Sequence, residues 1–354
     1  MDVFGIVVAF PQNKYIMGET SMNKILSIVV PSYNVEAYLN KCLNSFVNES
    51  VMDEVEVLIV NDGSTDSTQE IAEVFTHKYP NTFRLINKKN GGHGSTINKG
   101  IELAKGKYFK VVDGDDWVDT TNFVQLVHLL KKVNADVVAS NYTWINHTTM
   151  LPEKRQERPF EQVEYGKLYD FSEVAGKTII GMHAMTIKTD LLRKADELID
   201  EHTFYVDAEF ILFPIPYVKT VFFTEAPVYQ YRLGLPGQSM SIQKMQKNLE
   251  NHLRVLFRLN DYCIKVKEFT PKENMEYMTE LVAEILTSQM KIYISFPLGS
   301  GMRKQLIRLD KLFYNNNRDV YYKVKNSAVW LLRRTHYFTF PLAVLAFKHR
   351  RNSY

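Results

Sequence analysis

The feature that most constrains this chain is a series of short runs rich in β-branched residues, separated by segments long enough for amphipathic helices. Strands that alternate with helices at this spacing favour an α/β fold with a mostly parallel central sheet flanked by helices. The four runs predicted as strands are Leu26–Val30, Val55–Val60, Thr82–Lys88 and Lys107–Val112. A fifth strand is predicted at Ala135–Ile145, and a mainly helical pattern continues from Met240 to the end.

Each of the four runs is followed by a polar or flexible loop. The loops are Pro31–Asn34, the turn at Asp62, the glycine-rich loop Asn90–Gly94 and the acidic turn Asp113–Asp116. Ligands of open α/β sheets bind beyond the carboxyl ends of the strands. We therefore expect these four loops to form one ligand site.

The acidic turn carries three carboxylates, Asp113, Asp115 and Asp116, directly behind an apolar run. Carboxylates this close repel one another and resist burial unless a positive partner holds them. Their hard oxygen atoms suit Mg²⁺ or Mn²⁺, which would in turn favour an anionic substrate. The other interpretation of the same residues is a turn in which Asp side chains cap backbone amides.

Several common ligand-binding motifs are absent from the sequence. The acidic turn lacks the Asp spacing and the distant Glu of an EF-hand loop. The first strand leads into Pro-Ser-Tyr-Asn rather than GxGxxG, which disfavours a dinucleotide fold, and no GxxxxGK[ST] motif occurs.

Charge is distributed unevenly, although the formal net charge is only +3. From Arg303 to Tyr354 there are 12 Lys/Arg and 2 Asp/Glu, which gives +10 and leaves −7 for the rest. The apolar run Tyr337–Phe347 is too short to span a bilayer, which needs about 20 apolar residues. Such a terminus either lies on an anionic membrane surface or packs as an ordinary helix with a solvated basic face. No nucleic-acid recognition motif accompanies the charge, so no nucleic-acid partner is predicted.

The cysteine content bears on the cellular compartment. Cys42 and Cys263 lie far apart without metal-ligand spacing, which fits a reducing compartment. The first residues lack the basic region of a signal peptide. These features predict a cytoplasmic protein, with peripheral contact to the inner face of the cell membrane as an option left open by the basic terminus.

Taken together, these stretches resemble the family 2 glycosyltransferases, which have the nucleotide-diphospho-sugar transferase (GT-A) fold. The resemblance covers about residues 25–240. The matching segments, in order, are Ser27–Asn34, Val55–Thr68, Asn90–Trp117 and Tyr205–Phe210. It implies a GT-A domain at 22–240, preceded by an extension at 1–21 and followed by a basic, helical region at 241–354.

The resemblance also implies a donor-nucleotide site. By it, Pro31 and Tyr33 line the pocket for the base and Asp62 bonds the base edge. Asn98 lies near the nucleotide, and Asp113 faces the ribose or the metal shell.

The diphosphate side of the donor site is implied in the same way. Asp115 would hold Mg²⁺ or Mn²⁺ on the donor diphosphate, and Arg232 and Ser239 would close over it. Arg suits bidentate phosphate binding, although Arg232 could instead pair with a surface carboxylate. Two positions depart from the family pattern: Ile97 stands where Arg is usual, and His93 is unusual.

The catalytic base of this family is an Asp near the start of a helix, commonly preceded by Glu. Asp207 is the candidate here, with Val206 in place of the usual Glu. Glu209 is the alternative base, and a helix-start Asp favoured by the helix dipole is the structural alternative for Asp207. His183 lies where family members often shape the sugar or acceptor pocket, but a lone His is more often structural, so it receives no role.

The resemblance therefore implies a metal-dependent, inverting, nonprocessive glycosyltransferase of cell-envelope or exopolysaccharide synthesis. It would move a sugar from a nucleotide-diphosphate sugar, expected to be a UDP-sugar, to a glycan or lipid-linked acceptor. A sugar nucleotidyltransferase is one alternative, although its Gly-rich signature should follow the first strand. A non-catalytic nucleotide-sugar-binding module of the same fold is the other alternative.

Overall fold

The computed structural model describes residues 24–155, 160, 162–235, 238 and 241–351. The expected extension at 1–21 and the predicted diphosphate ligand Ser239 lie outside these residues. The strands are β1 (Leu26–Ser32), β2 (Val55–Asn61), β3 (Phe83–Asn87), β4 (Tyr108–Val111), β5 (Trp117–Val118), β6 (Val137–Asn146), β7 (Pro152–Arg155), β8 (Leu168–Asp170), β9 (Met185–Lys188) and β10 (Thr220–Leu233). The helices are α1 (Glu36–Asn44), α2 (Thr68–Lys78), α3 (His93–Leu103), α4 (Thr120–Lys132), α5 (Phe171–Val174), α6 (Thr189–Lys194), α7 (Asp207–Leu212), α8 (Ile242–Lys247), α9 (Leu249–Val266), α10 (Lys272–Ser295), α11 (Met302–Asn316), α12 (Arg318–Lys323), α13 (Ser327–Arg334) and α14 (Phe340–Arg351).

The strands form one sheet with the order β3-β2-β1-β4-β9-β6-β10-β5, while β7 pairs with β6 and β8 with β10. Neighbours within β3-β2-β1-β4 are parallel, and so are the long strands β6 and β10. The antiparallel pairs all involve one of the short strands β5, β7, β8 and β9. The predicted sheet, mostly parallel and flanked by helices, is confirmed, and each of the five predicted strands forms within a few residues of its expected bounds.

The two faces of the sheet bury separate hydrophobic clusters. On β1, Ile28 and Val30 point into a cluster that includes residues of α1 and α4, whereas Val29 points into a cluster with α3, α7 and α9. Alternate side chains of a strand point to opposite faces. A strand covered by helices on both sides therefore needs the continuous apolar run seen at Leu26–Val30.

The C-terminal region is helical, as predicted. Residues of α9 and α10, such as Leu256 and Tyr277, belong to the same buried cluster as Val29 of the sheet. A domain boundary near residue 240 stays a prediction. The shared core nevertheless fixes α9 against α7, the helix that begins at Asp207.

Candidate active site

The acidic turn follows β4 and lies against the end of β1. The backbone N–H of Gly114 donates to the carbonyl of Pro31 at 3.1 Å, and that of Asp116 donates to the carbonyl of Asp113 at 2.9 Å. Parallel pairing of β1 with β4 brings the two strand ends side by side. The sequence-based expectation that these loops meet at one edge of the sheet is therefore correct for Pro31 and the acidic turn.

The three carboxylates of the turn have different partners. Asp113 Oδ1 lies 2.8 Å from His93 Nε2 at the start of α3. Asp116 accepts from the Tyr229 hydroxyl at 2.6 Å and from the backbone N–H of Arg232 at 2.7 Å. No ion pair forms on the Asp115 carboxylate among the residues that the structure describes. The turn is thus held by β10 and α3, and Asp115 is the carboxylate with spare capacity for a ligand.

The electrostatics of the turn follow from these partners. Burial, reinforced by the charge of Asp113, raises the pKa of Asp115 to about 6. Burial and the two neighbouring carboxylates raise the pKa of Asp116 well above its ordinary value. Burial also acts on Asp113, but the adjacent His93 outweighs it and lowers the pKa of Asp113. The charged forms of Asp115 and Asp116 are therefore disfavoured in the turn, and a bound cation would favour them.

His183 completes a group of possible metal ligands that sequence analysis left without a role. One ligand atom each from Asp113, Asp116 and His183 lies within 4.8 Å of the others. The His183 ring packs between Tyr229 and Tyr231, with ring centroids 4.8 and 4.5 Å away. Two carboxylates and an imidazole at such distances form a donor set suited to a divalent ion such as Mn²⁺.

Lys110 on β4 holds the segment that presents His183. Its ammonium donates to the backbone carbonyls of His183 at 2.8 Å and Met185 at 3.3 Å, and the side chain is completely buried. Burial lowers the pKa of Lys110 to about 7. The sequence signal that could have revealed this role is a Lys in the middle of an apolar strand.

Asp207 is the first residue of α7 and is half-buried. Burial lowers the pKa of His183, and the charges of Asp113 and Asp207 offset part of that shift. Burial also opposes protonation of His93, but Asp113 and Asp207 raise its pKa above the ordinary value. The carboxylate of Asp207 therefore acts electrostatically on both histidines beside the acidic turn.

The side chain of Glu209, the alternative base, is buried against the backbone of Asp200. It is completely buried, and its Oε2 accepts from the backbone N–H of Asp200 at 2.8 Å. Its Oε1 has no hydrogen-bond partner among the residues that the structure describes, and Glu209 lines a small pocket together with Ile199 and Phe210. Burial raises its pKa to about 7. A carboxylate enclosed in this way cannot contact an acceptor.

Arg232 is buried against the acidic turn. Its Nε donates to the carbonyl of Asp115 at 2.8 Å. The guanidinium carbon lies 4.9 Å from the ring centroid of Tyr38 and 4.8 Å from that of Trp117. In this arrangement Arg232 supports the turn, and it pairs with no surface carboxylate among the described ion pairs.

Asp62 and Asn98 hold loops together. Asp62 accepts from the backbone N–H groups of Gly91 and Gly92 at 2.9 and 2.8 Å and from Lys88 Nζ at 2.8 Å. Asn98 makes two hydrogen bonds to the backbone of Ile199, at 2.8 and 2.9 Å. The side chains expected near the donor nucleotide thus already have protein partners, whereas Tyr33, at the end of β1, is 52% exposed.

The glycine-rich loop packs closely on the segment that leads to Asp207. A Cβ atom on Gly94 would lie 2.3 Å from the carbonyl oxygen of Asp200. The N–H of His202 donates to the carbonyl of Gly91 at 2.6 Å, and Tyr205 has a positive φ of 69°. Such backbone conformations cost free energy for bulky residues and cluster at functional sites. The contact joins the loop of His93 to the loop of Asp207.

Comparisons with known proteins agree with this architecture. The family described as glycosyl transferase family 2 matches residues 27–195. A putative glycosyltransferase of Bacillus subtilis, EpsH, is 32% identical over 247 residues, which are 66% of this chain and 67% of EpsH. The minor teichoic acid biosynthesis protein GgaB of the same organism is 28% identical, and the match covers 69% of this chain but only 27% of that longer protein.

Solved structures share the fold at lower sequence identity. The crystal structure of Staphylococcus aureus TarS residues 1–349 in complex with UDP-GlcNAc has a TM-score of 0.60 at 18% identity and covers 93% of this chain and 92% of that one. The mannosyltransferase PcManGT of Pyrobaculum calidifontis, in complex with GDP-Man and Mn²⁺, has a TM-score of 0.51 at 14% identity, with coverage of 92% and 86%. In the part of the chain that the structure describes, no helix combines the length and apolar character needed to cross a membrane.

Proposed function

The chain belongs to glycosyl transferase family 2, and from that premise we propose that it transfers a sugar from a UDP-sugar to a hydroxyl of a glycan or lipid-linked acceptor, with inversion and without processivity. The TarS complex with UDP-GlcNAc supports uridine as the donor nucleoside, because TarS resembles the fold more closely than the GDP-Man-bound mannosyltransferase does. Similarity to GgaB supports an acceptor of the cell envelope.

The observation that carries this proposal is the group of possible metal ligands at the acidic turn, where atoms of Asp113, Asp116 and His183 lie within 4.8 Å of one another. Asp207 begins α7, after the segment whose His202 N–H donates to the carbonyl of Gly91 in the glycine-rich loop. Sugar transfer requires a site that binds the donor diphosphate with a metal ion and a nearby carboxylate that accepts the proton of the acceptor hydroxyl. The exposed ring of Tyr33 is suited to stack on the donor base, as the family resemblance implies.

The residues present fit a divalent ion. Asp115 has no ion-pair partner among the described residues, and ligand atoms of Asp113, Asp116 and His183 lie within 4.8 Å of one another. Both oxygens of Asp116 accept hydrogen bonds, and both oxygens of Asp113 have partners in His93 and, at 3.4 Å, Tyr229. We therefore propose Asp115 and His183 as ligands, with a carboxylate of Asp113 or Asp116 completing the set. When bound, a Mg²⁺ or Mn²⁺ ion neutralises negative charge on the departing diphosphate.

The side chains of the protein accept the proton and orient the donor. The acceptor oxygen forms a bond to the anomeric carbon while the bond from that carbon to the diphosphate breaks, and the nucleoside diphosphate leaves. Asp207 takes the proton of the attacking hydroxyl. Tyr229 and the backbone of Arg232 hold the acidic turn in place, so that the donor is oriented before reaction.

We also propose that the protein acts in the cytoplasm, at the inner face of the cell membrane. The absence of a disulfide framework in the sequence fits the cytoplasm. The basic region from Arg303 to Tyr354 fits a peripheral contact with the inner face of the cell membrane, where a lipid-linked acceptor would be found.

A nucleotide-release assay tests the proposal against both alternatives. The full chain is incubated with a panel of sugar nucleotides, with Mn²⁺, with Mg²⁺ or with EDTA. We expect UDP release from one UDP-sugar, loss of release in EDTA, and stimulation by an acceptor glycan. Pyrophosphate release from UTP and a sugar phosphate would instead identify a nucleotidyltransferase, and binding without turnover would identify a non-catalytic module. Turnover that persists in EDTA would remove the metal from the mechanism.

A further inference from the structure

Large apolar side chains are exposed on the last two helices. Trp330 and Leu331 on α13, Phe338 in the connecting turn, and Leu342 and Leu345 on α14 have exposed fractions between 43% and 79%. Single exposed apolar residues are ordinary on a protein surface, but a concentration of them marks an interaction site. These five residues fall within a stretch of sixteen.

The exposed residues form a stripe on each helix. Leu342 and Leu345 are three positions apart on α14, and Trp330 and Leu331 share a side of α13 with Arg334. The opposite sides carry Val329, Leu332, Phe340 and Val344, which are buried in the main core cluster. Each helix therefore has two apolar stripes: one is buried in the core, and the other is exposed to solvent.

Cations without an ion-pair partner among the described residues border these stripes. From Val320 to Tyr354 the sequence contains seven Lys or Arg residues and no Asp or Glu. Of these, Lys323 and Lys325 pair with Glu276 and Glu280 of α10, and Arg333 pairs with Asp310. Arg334 lies on the exposed side of α13, with its guanidinium 5.4 Å from the Trp330 ring, and Lys348 is exposed one turn after Leu345. Apolar side chains bordered by cations are typical of helices that lie at the surface of an anionic bilayer.

One acidic group close to α13, Asp310, is buried. It lies on α11, where Arg333 donates to it from Nη2 at 2.7 Å and the Tyr337 hydroxyl donates at 2.6 Å. This pairing ties α13 and the turn after it to α11. It also compensates the charge of that carboxylate.

We propose that the exposed sides of α13 and α14, here called the C-terminal surface and comprising Trp330, Leu331, Arg334, Phe338, Leu342, Leu345 and Lys348, dock on anionic phospholipid. This inference rests on the peripheral membrane contact proposed above and specifies the residues that make it. Twelve residues of α14 extend about 18 Å, well short of the roughly 30 Å hydrocarbon core, so the helix lies on the bilayer rather than across it. A symmetric contact with a second copy is disfavoured, because it would bring identical cations together.

Vesicle co-sedimentation of the full chain tests this surface. We expect binding to vesicles that contain phosphatidylglycerol, weak binding to pure phosphatidylcholine, and release by salt. Leu342→Glu should abolish binding, and Arg334→Glu combined with Lys348→Glu should weaken it at least tenfold, since each cation near an anionic surface contributes about fivefold.

Matched controls separate docking from general effects. Val74→Glu changes an equally exposed aliphatic residue on α2, and Lys132→Glu changes an exposed cation on α4, so both should bind vesicles like the unaltered chain. Circular dichroism checks that every variant is folded. Equal vesicle binding by Leu342→Glu and Val74→Glu would overturn the proposal. So would a dimer in light scattering that Leu342→Glu dissociates, because a second copy would then be the occupant.

The failure of this inference can be told apart from failure of the proposed function. UDP release in detergent-free solution without vesicles should be the same for Leu342→Glu and the unaltered chain, because the C-terminal surface contains no donor-site residue. Vesicle binding without any UDP release would leave the surface intact and overturn the proposed reaction. UDP release without vesicle binding would support the proposed reaction and overturn the membrane-docking surface.

Discussion

The Nε2 atom of His93 lies 2.8 Å from Oδ1 of Asp113, and this contact joins the glycine-rich loop to the acidic turn. By the family resemblance, a His is unusual at position 93, and Ile97 of α3 stands where Arg is usual. The imidazole of His93 can therefore place a positive charge beside the acidic turn, where other family members would use an Arg.

Replacing His93 tests the importance of that contact. His93→Ala should lower kcat/KM for sugar transfer roughly 10- to 100-fold, because a hydrogen bond to a charged group contributes about 1.5–3 kcal/mol. His128→Ala, at an exposed position of α4, is the control and should leave the rate unchanged. Equal rates for the two variants would show that the His93 contact has no part in transfer.

Asp207→Asn should slow transfer while preserving donor binding. The amide cannot take the proton of the acceptor hydroxyl, and loss of a general base typically costs roughly 10²- to 10⁴-fold in rate. Calorimetry with the UDP-sugar measures binding, and product formation measures the rate. Asp190→Asn, also in the first turn of a short helix, is the matched control. Normal transfer by Asp207→Asn would assign the base elsewhere.

The metal ligands can be distinguished by Mn²⁺ titration. Asp115→Asn and His183→Ala should each weaken Mn²⁺ binding by roughly tenfold or more, because loss of even an outer partner of a metal site has that effect. Asp119→Asn, which removes only the carboxylate at the start of α4, should bind Mn²⁺ normally. If His183→Ala binds Mn²⁺ like the unaltered chain, His183 is not a ligand and carboxylates of the acidic turn form the site without it.

Glu209 should make stability depend on pH. Burial raises its pKa from 4.5 to about 7, so the folded chain binds a proton that the unfolded chain releases between these values. The contribution of Glu209 to stability is then fully present below pH 4.5 and is lost, by about 3 kcal/mol, as pH rises through 7. Glu209→Gln should remove this loss, with little change at pH 4.5 and a higher free energy of unfolding at pH 8. Urea unfolding at both values measures it, and a constant difference between the two proteins would contradict the burial effect.

Gly94 should tolerate no side chain. A Cβ atom would lie 2.3 Å from the carbonyl oxygen of Asp200, so Gly94→Ala must push apart the loops of His93 and Asp207. We expect a loss of about 1–3 kcal/mol in the free energy of unfolding, typical of overpacking, and a lower kcat. Gly176→Ala, where the nearest atoms are 3.8 Å away, is the control. Unchanged kcat in Gly94→Ala would show that the contact between the loops does not position Asp207.

The strands and the acidic turn could be predicted because their signals are local. An apolar run such as Leu26–Val30 identifies a strand buried on both faces, and a polar residue directly after it must lie at the strand's end. The position of Asp113–Asp116 at the carboxyl edge of the sheet followed from this pattern. The helical C-terminal region followed in the same way from its periodicity.

The partners of these residues were not predictable from local pattern. Tyr229 reaches Asp116 across 113 positions of the chain, and Asn98 reaches Ile199 across 101. Sequence analysis gave Arg232 a role on the diphosphate and left His183 without one. In the folded chain Arg232 is buried against the turn, and His183 joins Asp113 and Asp116.

The sequence by itself determined which strands form, where they end, and that carboxylates follow the fourth of them. Only the tertiary structure decided that Asp113 faces a histidine, that Asp116 is held by β10, and that Asp115 is left without an ion-pair partner among the described residues. The physical reason is that a strand or turn is encoded by neighbours along the chain. The pairing of a charged side chain depends on which distant segments the packed sheet and helices bring within hydrogen-bond distance.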